Sequence, residues 1–139
     1  MKRNILVLAL FIVLACTGGA ALASGSKAFT PPVGSALRQA ILAPLRAHLR
    51  EKLQVEAVFV VRWLKVKEGW AWIETEPRSK DGKNAYEPLF ALLVKKEACW
   101  RIVDLPPMEE DSPPIDGAYF TKLMEAHPGL PPEIFPWEK

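Results

Sequence analysis

The chain has 139 residues, Lys+Arg 18 against Asp+Glu 16, and half of its residues are hydrophobic. That length suits one domain with a modest core. Near-neutral charge excludes the electrostatic footprint of a general nucleic-acid binder.

The N-terminus reads as a leader. Lys2 and Arg3 precede an unbroken apolar run from Ile5 to Ala15. The run falls short of the roughly 20 residues that span a bilayer as a helix. Thr17, Gly18 and Gly19 break it, and Ala21-Leu22-Ala23 supplies the small-x-small pattern of signal-peptidase cleavage, here before Ser24. A rival reading uses Val13-Leu14-Ala15-Cys16, which loosely matches a bacterial lipoprotein processing site. Lipidation of Cys16 would anchor the protein to a membrane. Cleavage after Ala23 leaves 116 residues of the 139 and removes Lys2 and Arg3 but no acid, so the remaining chain is neutral. Cys99 then stands alone and has no intramolecular partner. It reads as a small apolar strand residue, with pairing to another chain or nucleophilic chemistry as alternatives.

Four segments follow from this: leader 1–23, linker 24–33 marked by Pro31-Pro32, a helix-plus-sheet domain 34–105, and a Pro-rich wrap 106–139. Ser35 is placed to cap a helix. Leu37, Ile41, Leu45 and Leu49 recur every fourth residue, with Leu42 and Leu53 extending the stripe and Arg46, Arg50 and Glu51 outside it. Pro44 predicts a kink, or a helix that starts near it.

From Val55 the period changes to that of strands. Ala57–Val66, Trp70–Glu76, Leu89–Lys95 and Ala98–Leu105 predict four strands in two hairpins, hence an antiparallel meander. Pro77 to Lys83 reads as an exposed loop. Alternation puts Ala71 and Ile73 on one face of the second strand and Trp70, Trp72 and Glu74 on the other. In the fourth strand Trp100 and Ile102 oppose Cys99, Arg101 and Val103. The first strand is apolar on both faces through Val61, which predicts a central or doubly covered strand. The helix stripe needs the sheet as its partner. The fold class is therefore α+β, an amphipathic helix on a curled four-stranded antiparallel sheet. Eight of the 13 prolines lie between Pro106 and Pro136, so the tail is largely extended, with a short helix over Tyr119–Ala126. Leu130, Ile134, Phe135 and Trp137 are its anchors, favouring docking on the parent domain.

Chemistry-bearing residues are sparse. His48 and His127 lack a His, Cys or carboxylate at metal-ligand spacing. Glu109, Glu110, Asp111 and Asp116 lack the alternation of a calcium loop. Glu74 and Glu76 share a strand face about 7 Å apart by strand rise, a spacing too permissive to signify glycoside hydrolysis. No catalytic residue, cofactor or metal is implied. Trp63, Trp70 and Trp72 are the candidate ligand- or partner-binding residues if their face is open. The other possibility is that the tail covers them through Phe135 or Trp137.

The order of these elements carries a resemblance. The helix from Gly34-Ser35 through Leu45-Arg46 leads to Val58-Phe59-Val60-Val61, then to Gly69-Trp70-Ala71-Trp72. Phe90-Ala91-Leu92-Leu93, Trp100-Arg101-Ile102-Val103 and Leu130-Pro131 follow. The set resembles a family of small secreted bacterial proteins with one helix and a β-meander, similar in outline to cystatin-like and NTF2-like folds. The resemblance implies a pocket between helix and sheet and transfers no functional residue. The expected function is a non-enzymatic envelope protein that binds a protein, peptide or small ligand through the concave sheet face. No nucleic acid is expected, and no membrane contact except through the leader or a lipid on Cys16. The alternative is a small NTF2-like hydrolase or isomerase using the pocket, and a third is a structural subunit of an envelope complex.

Overall fold

Ser35 is extended, and its hydroxyl oxygen accepts from the Arg38 amide at 3.2 Å, opening helix α1 at Ala36–Leu53. The computed structural model describes residues 26–138. The expected leader, with the cleavage site expected after Ala23 and the lipidation expected at Cys16, lies outside the described residues. Helix α1 begins at its cap and not at Pro44, which it carries inside. Pro44 offers no N–H to the Ala40 carbonyl, and Ala40 is exposed, so water reaches the unpaired oxygen. Ile41, Leu42, Leu45 and Leu49 are buried, as the four-residue repeat requires.

Four strands follow: β1 Ala57–Lys67, β2 Trp70–Ser79, β3 Leu89–Lys96 and β4 Cys99–Asp104. They form an open antiparallel sheet in the order β1-β2-β3-β4. Strand β1 is thus an edge strand, so of the two expectations, central or doubly covered, the central position does not hold. Its two-sided apolar character has another origin. A bulge between Val61 and Trp63 leaves Arg62 unpaired and resets the alternation. Ala57, Phe59 and Val61 before it, and Leu64 and Val66 after it, all pack on the α1 side. Trp63 turns to the opposite face.

Strand β2 also runs further than expected. Pro77 is buried inside it and pairs with Phe59. The Pro77 carbonyl accepts from the Tyr86 amide at 2.9 Å, on the side away from β1. In a strand the N–H and C=O of one residue point the same way, so the missing proline donor costs the β1–β2 ladder nothing.

Residues 27–33 are not a free linker. The Phe29 and Val66 main chains exchange hydrogen bonds of 3.0 and 2.8 Å, and the Thr30 hydroxyl donates to the Leu64 carbonyl at 2.8 Å.

Each face of the sheet carries a core. On one, Ile41, Leu45, Ala71, Ile73, Ala91 and Leu93 are fully buried. On the other lies the tail. Asp116 caps helix α2, Gly117–Ala126, by accepting from the Ala118 and Tyr119 amides. A 3-10 turn at Pro132–Ile134 follows. Phe120, Leu123, Leu130, Ile134 and Phe135 close over Trp72 and Leu92. Trp137 is a weaker anchor than expected, being 41 % exposed, although its ring meets Phe120 and Phe135 edge-on.

Candidate functional site

The tail covers the centre of the tryptophan-bearing sheet face. Trp72 is wholly buried, edge-on to Phe120 and Phe135 at 5.4 Å each, and its indole N–H donates to Glu74. It cannot meet a ligand while the tail is docked. Trp70 is half-buried against the His127 ring, 5.7 Å away. The Trp63 N–H is committed to the Ile134 carbonyl at 2.8 Å, and Lys65 sits over its ring. The three tryptophans therefore organise the tail and do not form a shared open platform. The helix–sheet interior is likewise packed with fully buried aliphatic side chains.

Other candidates resolve as structure. Glu76 is gripped by Arg62 through two hydrogen bonds of 3.1 and 2.9 Å, which hold its carboxyl below the usual range. Glu74 is buried and bonded to Trp72, so the two carboxylates serve separate partners. Asp116 is a helix cap, and Glu109, Glu110 and Asp111 are exposed. Cys99 is free and exposed, not packed as a small apolar residue. Among the described residues, no three His, Cys, Asp or Glu side chains gather as a metal-ligand group.

Several recesses remain open, among them one around His48 and Met108, one beside Trp63 and Trp137, and a groove of about 540 Å³ where α1 passes the free edge of β1. Leu42, Val55, Phe59 and Val61 line this groove with apolar surface, and Arg38, Arg46, Arg50 and Lys80 supply charge. Helical geometry explains the arginines: positions 38, 42, 46 and 50 lie four apart, so they share one stripe of α1. Partners hold two of them in place. The Arg38 guanidinium donates to the Pro31 carbonyl at 3.0 Å. Arg46 donates to Gln39 at 2.9 Å and lies 5.7 Å over the Phe59 ring. Glu56 is the one carboxylate in the lining, and it pairs with Lys80 and, at 3.9 Å, with Arg50. Lys80, then Arg50, hold its carboxyl below the ordinary value.

Four cations against one paired carboxylate make a positively charged recess over an apolar floor. Guanidinium groups keep their charge near neutral pH. The arrangement therefore suits recognition of carboxylates or other anions better than acid–base chemistry. Sequence reading passed over this groove, treating Arg46 and Arg50 as the solvated side of the helix. Their four-residue spacing with Arg38 was the available signal. Their meeting with Lys80 and the β1 edge is tertiary. The chain matches no family model, no curated protein and no solved structure.

Proposed function

We propose that this is an exported envelope protein acting as a non-enzymatic binding domain, with the α1–β1 groove as its site and an anionic partner as its ligand. The observation that carries the reading is the convergence of Arg38, Arg46, Arg50 and Lys80 on one apolar recess with a single carboxylate, already paired. An export route is supported by Lys2-Arg3, the Ile5–Ala15 run and Ala21-Leu22-Ala23. A soluble periplasmic or secreted form follows from cleavage after Ala23, and a lipid-anchored form from processing at Cys16. The hydrolase or isomerase alternative draws no support from the helix–sheet interior, whose volume is occupied by Ile41, Leu45, Ile73 and Leu93.

The test is calorimetric titration of the purified protein with octaglutamate and octalysine across a salt series. Binding of octaglutamate alone, weakening with salt and weakening about tenfold or more in Arg46→Glu, supports the reading. Equal binding of both peptides, or of neither, overturns it. Intact mass of the protein recovered from envelope fractions tests the export route. A species beginning at Ser24 or a lipid-modified Cys16 is expected, and retained Met1 in the cytoplasm contradicts it.

A further inference from the structure

We infer that the occupant of this groove is an extended acidic peptide that adds to the sheet as a fifth strand, antiparallel to β1 over Ala57–Val61. The inference rests on the groove being the binding site and specifies how the partner is held.

Backbone geometry carries it. Val58 and Val60 face β2, because their partners Arg78 and Glu76 alternate with Pro77, whose carbonyl points away from β1. Ala57, Phe59 and Val61 therefore direct their N–H and C=O groups outward from the sheet. Among the described residues these outward groups make no main-chain hydrogen bond. The other half of the same edge is already used in the way proposed. Beyond the bulge, Val66 exchanges two main-chain hydrogen bonds with Phe29, antiparallel, and the Leu64 carbonyl accepts from Thr30. Pro31-Pro32 then turn the chain away from the edge, and the Arg38 bond to the Pro31 carbonyl fixes that departure. The remaining stretch of edge is left open by the chain's own course.

Charge names the ligand. The side chains of Ala57, Phe59 and Val61 point to the α1 side. In an antiparallel pair, residues directly opposite project to the same face. An added strand would thus set alternate side chains beneath Arg38, Arg46 and Arg50, where carboxylates would be matched by guanidinium donors. Its intervening side chains would pass the Val58 face, where Val58 is 46 % exposed. The expected motif is acidic residues at every second position, in a segment of about five residues.

The experiment uses three seven-residue peptides of alternating Glu and Thr, equal in charge. One is unmodified, one is N-methylated on each Glu amide, and one on each Thr amide. Antiparallel addition directs the Glu amides at β1 and the Thr amides away. The unmodified and Thr-methylated peptides are expected to bind alike and to slow amide hydrogen exchange at Ala57, Phe59 and Val61. The Glu-methylated peptide is expected to bind about tenfold or more weakly. Equal binding by all three would overturn strand addition while leaving an anion-binding groove intact. Loss confined to the Thr-methylated peptide would overturn the antiparallel register. Binding by none would overturn both the strand and the groove. Ala57→Pro, which removes one outward donor at the start of an edge strand, is expected to weaken the unmodified peptide without changing the unfolding midpoint.

Discussion

Trp72 and Phe135 meet edge-on at 5.4 Å, joining the second strand of the sheet to a segment more than sixty residues later. Trp72 is fully buried and also touches Phe120, so the tail is part of the folded unit and supplies one of its two cores. Removing a buried tryptophan side chain forfeits its transfer energy and leaves a cavity. Trp72→Ala is expected to cost about 3–5 kcal/mol by urea unfolding, whereas a detachable tail predicts under about 1 kcal/mol.

Tyr119 couples the same tail to the sheet. Its hydroxyl donates to Asp104 at 2.5 Å, and burial together with that carboxylate pushes its pKa up. A raised folded pKa means that the stabilisation is complete below the tyrosine's ordinary value of 10.0 and is lost as pH climbs through the higher folded value. Unfolding free energy should therefore fall above pH 10. Tyr119→Phe should flatten that fall, and an unchanged alkaline slope in the variant would show that the contact is not formed in solution.

The β3–β4 turn places Glu97 and Ala98 at positive φ, 51° and 67°. Both central residues are left-handed, as in a two-residue type I′ hairpin, yet neither is glycine. The matching β1–β2 turn has Gly69 at its second position, with φ 76°. Ala98→Gly is expected to stabilise by roughly 0.5–1 kcal/mol, since relief of the left-handed alanine outweighs the added chain entropy. A lower thermal midpoint would contradict the turn geometry.

How much of this was readable in the residues differs by element. The α1 stripe and the alternation of β2 and β4 were legible because each buries a face whose period is local. Strand β1 misled for a physical reason: the bulge at Arg62 shifts its pattern by one, so a doubly apolar edge looks like a centre strand. Pro77 looked like a loop residue because its tolerance depends on β3 pairing ending at Thr75. Trp70 and Trp72 were legible as sharing one face, and their cover was one of two open readings. The groove was not legible, because Arg38, Arg46 and Arg50 gain meaning only beside Lys80, Phe59 and an unpaired sheet edge.

Backbone and side-chain NMR shifts of the labelled protein, followed as the alternating Glu/Thr peptide is added, locate any bound anion directly. The expected perturbations centre on the Arg38, Arg46 and Arg50 side chains and on the amides of Ala57, Phe59 and Val61. Shifts confined to the recess on the other side of α1 around His48 and Met108, or to the Trp63–Trp137 surface, would contradict the account.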